Sequence, residues 1–299
     1  MTALPSLSNE LAAAVEQVAG SVVAVNARPR LPSTGVHWRP GIIVTADHTV
    51  RSIEDLTVVD REGRTMAATL VGRDPGTDLA VLKIQDTVLP TAGLGDSGSL
   101  RVGHIVLAVG YGPRASWGIV SAVGGRWRTW RGGEIDQLLR LDLTLYPGFS
   151  GGPIVDAQGR MVGINTSGLS QRLELAIPAS TVSRVADELI EKGHVSRAFL
   201  GVGLQPARLP EAARRALAGA PEIGLIVVRV QPEGPAAQAG ILLGDVLVSL
   251  EGIHVASPEA VLEAVAARRV GSTVSATILR AGTPTDVSIT LGERPLRRR

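Results

Sequence analysis

Short apolar runs follow one another through the first 166 residues, with Gly, Asp or Pro turns between them. Ser21–Asn26, Gly41–Thr45, Leu56–Asp60, Thr65–Val71 and Leu79–Ile84 form a first series. His104–Val109, Trp117–Val123, Gln137–Thr144, Gly152–Asp156 and Met161–Asn165 form a second. Each run is too short for a helix of the usual length, and the spacing is that of an all-β sandwich or barrel. Composition agrees: 35 Gly and 18 Pro in 299 residues, with 3% aromatics, favour tight turns over long helices. A hydrophobic fraction of 44% supplies a core for such strands.

Helical patterning brackets this series. Ser8–Gln17 reads as a short amphipathic helix capped by Ser8 or Asn9, with Leu11, Ala12, Val15 and Val18 on one side. After Pro178-Ala179-Ser180-Thr181, the segment Val182–Lys192 carries Val182, Val185, Leu189 and Ile190 at helical spacing, and Gly193 ends it. The domain boundary is therefore expected at residues 193–197, between a first domain of residues 1–192 and a second of 198–299. The second domain is mixed. Gly224–Val230 and Asp245–Glu251 read as strands, and Pro235–Ala239 and Pro258–Arg269 as helices. Val274–Arg280 and Thr285–Leu291 read as a hairpin around Ala281-Gly282.

Several function classes are excluded or disfavoured. Without cysteine there is no disulfide, thiolate metal site or Cys nucleophile. The charge is nearly balanced, +2 from 30 basic and 28 acidic residues, so net charge points to neither nucleic acid nor membrane. The cluster Arg126-Trp127-Arg128-Thr129-Trp130-Arg131 reads as a solvated hairpin, and Arg297-Arg298-Arg299 is a second basic cluster. His37, His104 and His254 lack metal-ligand spacing and read as structural or solvent-facing. Met1–Ala19 contains Glu10 and Glu16, unlike a secretory leader, and no apolar stretch reaches membrane-spanning length. The sequence is thus expected to be cytoplasmic.

Three segments carry chemistry. His48 follows an apolar strand, Asp78 stands at the entry to another, and Ser150 lies in Pro147-Gly148-Phe149-Ser150-Gly151-Gly152-Pro153. A serine hydroxyl becomes nucleophilic when a neighbouring base takes its proton. Imidazole suits that transfer near neutrality, and a carboxylate holds its tautomer. The oxyanion that follows needs donors fixed in advance, which the backbone N–H groups of Gly148 and Ser150 supply. Gly148-Phe149-Ser150-Gly151-Gly152 also satisfies the hydrolase elbow, Gly-x-Ser-x-Gly. That elbow leads into a helix and its histidine comes last, whereas a strand and turn follow here. Gly95-Asp96-Ser97-Gly98-Ser99 mimics a protease serine motif, but it lies too close after Asp78 and reads as a turn.

The order His48, Asp78, Ser150 and the Gly-x-Ser-Gly-Gly-Pro run resemble the trypsin-like serine proteases. "VTADHTV", "VGRDPGTDLAVLKI", "GIVSAVG", "PGFSGGPIVDAQGRMVGINT" and "LAIPAS" resemble the HtrA (Deg) branch more closely. "AFLGVGL" and "GPAAQAGILLGDVLVSLEG" resemble the PDZ domain that follows the protease there. The resemblance implies a mainly β fold, a chymotrypsin-like double β-barrel followed by an α+β PDZ domain. It implies a serine endopeptidase acting on unfolded or damaged proteins, without metal or organic cofactor. Relatives are commonly homotrimers and often extracytoplasmic. The alternative is a peptide-binding holdase that keeps the fold without the chemistry.

The resemblance also assigns positions. Thr144 matches the base of the primary specificity pocket; not being acidic, it implies cleavage after small or medium apolar residues. Phe199, Leu200, Gly201 and Val202 match the PDZ loop that captures a C-terminal carboxylate, with Val261, Leu262 and Val265 lining the side-chain pocket. Phe149 stands where the branch usually has a small polar residue. Arg28–Pro40 is too compact for the long regulatory loop of some relatives.

Overall fold

Six antiparallel strands close the first barrel: β1 (Val22–Asn26), β2 (Ser33–Arg39), β3 (Ile42–Ala46), β4 (Thr57–Val59), β5 (Thr65–Asp74) and β6 (Leu79–Ile84). Their order is β1-β2-β3-β6-β5-β4, and β1 pairs with β4 to complete the circle. The computed structural model describes residues 3–294 except 30, 86–88, 113, 171, 218–221 and 267, so the Arg297–Arg299 cluster lies outside the described residues. Val23, Val25, Ile43, Val58, Ala80 and Leu82 fill the barrel. On β5 Met66 and Ala68 turn inward while Thr65, Ala67 and Thr69 face out, the period of two expected of a half-buried strand.

The second barrel uses β7 (Ile105–Gly110) and β8 (Arg114–Gly124), then a two-stranded hairpin of β9 (Trp127–Arg128) and β10 (Glu134–Ile135). It continues with β11 (Leu138–Asp142), β12 (Pro153–Asp156), β13 (Met161–Thr166) and β14 (Glu174–Pro178). The barrel order is β11-β14-β13-β12-β7-β8. The Arg/Trp cluster is thus a hairpin, with Trp130 exposed at its tip.

Two helices flank the barrels. α1 (Ala3–Ala19) is longer than the expected Ser8–Gln17, and Ala14 and Val18 bury against the barrel core. α2 (Ala179–Lys192) buries Val182, Val185, Ala186 and Leu189, and Gly193 ends it with an N–H bond to Leu189 O of 2.9 Å. It packs on β5 and β6 of the first barrel and on β13 and β14 of the second, so its apolar face belongs to both.

Strand β2 is a difference from the sequence reading, which names no strand between Ser21–Asn26 and Gly41–Thr45. Its Ser33, Thr34 and His37 are all buried, so no apolar alternation marks it. His37 is structural: Nδ1 contacts Pro90 O at 3.1 Å and Nε2 accepts Gly41 N–H at 3.1 Å.

The chain divides into two compact units, Met1–Val195 and Ser196–Arg299. The second contains β15 (Ala198–Phe199), β16 (Val202–Arg208), α3 (Glu211–Ala216), β17 (Ile223–Val230), α4 (Pro235–Gln238) and β18 (Val246–Leu250). Then come β19 (Ile253–His254), α5 (Pro258–Ala266), β20 (Thr273–Arg280), β21 (Thr283–Thr290) and β22 (Gly292–Glu293). The sheet runs β16-β17-β18-β20-β21, which leaves β16 at an edge, and α5 packs against β15 and β16. Ala281 and Gly282 turn the β20–β21 hairpin with φ of +47° and +84°, the pair of positive angles of a type I′ turn. The architecture is mainly β: two six-stranded barrels and a C-terminal α+β unit.

Leu189 is fully buried beneath both barrels. Leu189→Ala is expected to cost about 2–5 kcal/mol in urea denaturation. A loss under about 1 kcal/mol would show that α2 is not part of the shared core.

Candidate active site

His48 occupies a single 3-10 turn, Asp47–Thr49, directly after β3. Thr49 Oγ1 closes the turn on Ala46 O at 2.7 Å. Asp47 is buried beside Arg73, whose Nε donates to Asp47 Oδ1. Burial pushes the Asp47 carboxyl above its ordinary range, and the Arg73 hydrogen bond opposes that rise. The pair fixes the residue next to His48.

Asp78 reaches His48 from the turn before β6. Asp74 organises that turn: its carboxylate accepts Gly76 N–H at 3.0 Å, Thr77 N–H at 3.2 Å and Thr77 Oγ1 at 2.7 Å. Asp78 itself is fully buried with φ of +59°, a left-handed conformation that non-glycine residues seldom hold. Its Oδ1 accepts His48 N–H at 2.9 Å, and its Oδ2 lies 2.8 Å from His48 Nδ1. A carboxylate oxygen accepts, so the Nδ1 proton points at Asp78 and neutral imidazole keeps its lone pair on Nε2. Thr166 Oγ1, at the end of β13, also donates to Asp78 Oδ2.

Ser150 lies in the loop between β11 and β12, 9% exposed. Its Oγ is 3.1 Å from Ser167 Oγ, and Ser167 Oγ is 3.4 Å from His48 Nε2. The structure therefore gathers His48, Asp78 and Ser150 into one site, with Ser167 between nucleophile-type oxygen and imidazole. Among the described residues, neither the Gly148 nor the Ser150 N–H has a protein acceptor. Two free amides flanking a serine can bind a negatively charged oxygen.

The loop is held from two sides. Thr34 on β2 is fully buried; its N–H donates to Ser150 O at 3.3 Å and its Oγ1 to Gly148 O at 2.7 Å. The same hydroxyl accepts Tyr111 N–H at 3.1 Å. Asn165 on β13 accepts Gly151 N–H at 3.0 Å and donates its backbone N–H to Gly152 O at 3.0 Å. Gly151, with φ of +91°, faces β2 and β3 so closely that a Cβ would lie 2.8 Å from Ala46 N. Phe149 is fully buried: its ring fills the space beside Gly110, meets Tyr146 edge-on at 5.5 Å, and has Arg114 5.5 Å from its centroid.

Other sequence expectations are placed as follows. Ser97 sits in a short 3-10 turn capped by Asp96, whose Oδ1 accepts Gly98 N–H at 2.8 Å, away from His48. Thr144 is exposed, its N–H donating to Ser116 Oγ at 3.3 Å, rather than sealed at a pocket floor. In the second unit, Leu200 O accepts Ala236 N–H and Gly201 O accepts Gln231 N–H, both at 2.8 Å. No acceptor for the Leu200 or Gly201 N–H lies among the described residues. Phe199 and Val202 flank this loop as the ends of β15 and β16. Val261 and Val265 are buried in the core of the second unit, and Leu262 is half-buried. Among the described residues no three His, Asp or Glu side chains cluster as a metal site.

Thr34, Thr166, Ser167 and Gly168 are site residues that sequence reasoning misses. Thr166 ends the quoted run "GINT", so its proximity was available from the motif. Thr34 carries no local signal, since a threonine in a strand looks like any other.

The trypsin-like peptidase domain family matches residues 33–164, and the PDZ domain family matches residues 198–291. A probable periplasmic serine endoprotease DegP-like of Brucella suis biovar 1 (strain 1330) is 38% identical over 266 residues, 85% of this chain and 51% of the relative. One from Rhizobium meliloti (strain 1021) is 38% identical over 279 residues, 90% of this chain and 54% of the relative. The chain spans about half the length of these curated relatives. Among solved structures, the HtrA-type protease AlgW with decapeptide matches with a TM-score of 0.73 and 31% identity, covering 96% of this chain and 99% of that one. The serine endoprotease from Yersinia pestis matches with a TM-score of 0.73 and 32% identity, covering 96% and 98%. The relatives are named periplasmic, so the cytoplasmic expectation finds no support in them; no helix among the described residues is long and apolar enough to cross a membrane.

Thr34→Val deletes the hydroxyl and leaves Gly148 O and Tyr111 N–H buried without it. A loss of about 1–3 kcal/mol is expected in urea denaturation, largely restored by Thr34→Ser. A loss in Thr34→Ser with none in Thr34→Val would show that the methyl packing, not the hydroxyl, is what matters.

Proposed function

Because the chain belongs to the HtrA-type serine proteases, we propose that it hydrolyses peptide bonds with Ser150 as nucleophile, His48 as general base and Asp78 as the group that orients His48. The observation that carries this reading is the 2.8 Å bond from His48 Nδ1 to buried Asp78, which leaves Nε2 on the Ser150 side. In the reaction Ser150 Oγ bonds the scissile carbonyl carbon and its proton passes to His48 Nε2. The carbonyl oxygen becomes an oxyanion between the Gly148 and Ser150 N–H groups. His48 then gives the proton to the leaving amine, and water releases the acyl group by the same steps. Asp78 stays ionised throughout and stabilises the imidazolium. None of these steps calls on a metal or organic cofactor.

Specificity is proposed from the stretch that leads to Ser150. Residues 143–147 are Leu, Thr, Leu, Tyr and Pro, with no carboxylate to pair a substrate Lys or Arg. Cleavage after small or medium apolar residues is expected. Peptide-library profiling that returned strict cleavage after Arg or Lys would count against it.

The second unit is proposed to capture the C-terminal carboxylate of unfolded or damaged protein segments. The unpaired Leu200 and Gly201 N–H groups and the open edge of β16 support this, since an added strand needs both. By analogy with its relatives the chain is proposed to work in the periplasm and to assemble as a homotrimer, which solution mass measurement tests.

Two experiments decide the central points. Ser150→Ala is expected to abolish casein degradation and labelling by a fluorophosphonate probe, lowering the rate by roughly 10³-fold or more. A wild type that neither degrades casein nor labels would favour peptide binding without hydrolysis. Amidating the C-terminus of a bound peptide is expected to weaken its affinity at least about tenfold, the loss of a charge-assisted bond. Equal affinity for the two forms would sink carboxylate capture.

A further inference from the structure

Ser167 belongs to none of the assignments above, yet its hydroxyl touches both reacting atoms, at 3.1 Å from Ser150 Oγ and 3.4 Å from His48 Nε2. Among the described residues, no direct hydrogen bond joins Ser150 Oγ to His48 Nε2. General-base transfer works over about 2.6–3.2 Å, so the Ser150 hydroxyl at rest is held by the wrong partner for attack.

The backbone fixes this placement. Thr166, one residue earlier, is fully buried and bonded to Asp78. Gly168, one residue later, donates its N–H to Thr166 Oγ1 at 2.9 Å and lies so close to the imidazole that a Cβ there would be 2.7 Å from His48 Nδ1. Ser167 is pinned between these two neighbours and projects into the gap between Ser150 and His48, although its own side chain is exposed. Its role as a hydrogen-bond partner therefore comes from position, not from burial.

We propose that Ser167 is a positioning residue that parks Ser150: its hydroxyl competes with His48 Nε2 for the Ser150 hydroxyl until substrate displaces it. The inference rests on the reading of Ser150 as nucleophile and His48 as base. On attack the Ser150 side chain turns from Ser167 to His48. Its proton goes to Nε2, its Oγ bonds the carbonyl carbon, and Ser167 keeps its own proton. A proton relay through Ser167 is the contrasting mechanism, and the 3.4 Å gap to Nε2 argues against it.

The test uses the full chain and measures pseudo-first-order labelling by a fluorophosphonate for wild type, Ser150→Ala, Ser167→Ala and Ser167→Thr. Wild type labels and Ser150→Ala does not, if the nucleophile is correctly assigned. Ser167→Ala is expected to label about two- to tenfold faster, the size of one hydrogen bond between hydroxyls. Ser167→Thr, which keeps the hydroxyl, stays within about twofold of wild type on the same grounds. With a peptide substrate, Ser167→Ala raises kcat/KM through a lower KM and leaves kcat unchanged, because bound substrate has already displaced the Ser167 hydroxyl. Its thermal unfolding matches the wild type because the side chain is exposed. An unchanged labelling rate in Ser167→Ala overturns the proposal; a slower one overturns it in favour of the relay. Absence of labelling in the wild type overturns the nucleophile assignment, and this proposal with it.

Discussion

Thr34 binds the serine loop of one barrel to a strand of the other, and the rest of the site depends on that junction. Each barrel closes its own hydrogen-bond circuit, so no β-ladder runs between them. What joins them is one apolar core, shared by α1, α2 and strand residues of both barrels such as Val44, Val81, Val109 and Ile164, together with a few buried polar contacts. Thr34 supplies the contacts at the serine: its amide and its hydroxyl both donate to carbonyls of the loop. In the same loop Phe149 O, which shares a peptide plane with the Ser150 N–H, accepts Gly152 N–H at 2.9 Å, so the Ser150 N–H points the opposite way; among the described residues neither it nor the Gly148 N–H has a protein acceptor. The geometry that leaves these amides free is thus a by-product of satisfying buried carbonyl groups.

The same logic explains why glycine follows the serine. Gly151 meets the backbone of β2 and β3 where any side chain would collide. A motif that reads in sequence as a flexible turn is here a close approach between two rigid barrels. The left-handed backbone of Asp78 is a parallel case. The Asp74 carboxylate gathers the turn, and the strained residue is delivered to His48 with both oxygens committed.

Strands with an apolar core face, such as β5 and β6, were readable from their alternation or from unbroken Val/Leu runs, and the helix α2 from its spacing of Val182, Val185 and Leu189. The residues gathered at the site were readable because His48, Asp78 and Ser150 sit in short, rigid, glycine-rich segments with a characteristic order. Strand β2 was not readable, because its inward residues include Ser33, Thr34 and His37, which hydrogen-bond to backbone rather than pack as hydrocarbon. Ser167 was hidden for a different reason: its importance lies in a gap between two distant segments, which no local pattern encodes. Val261 and Val265 are a different case, buried in the second unit's core. Their helical spacing marks an apolar face correctly, but periodicity does not tell a core face from a pocket wall.

Phe149 shows how a residue that looks disruptive in the sequence fits the loop. It stands between the two free amides, where a ring in the wrong direction would fill the oxyanion site. Instead the ring is fully buried in the second barrel, among Leu139, Ile154 and Val162. It fits because Gly110 has no side chain: a Cβ there would lie 2.6 Å from the ring. Burying a phenylalanine is worth about 1.5–3 kcal/mol relative to exposing it. An apolar anchor also carries no charge, and its hold on the loop does not titrate or weaken with salt as an ion pair would. The buried ring thus anchors the loop between the Gly148 and Ser150 amides, neither of which has a protein acceptor among the described residues.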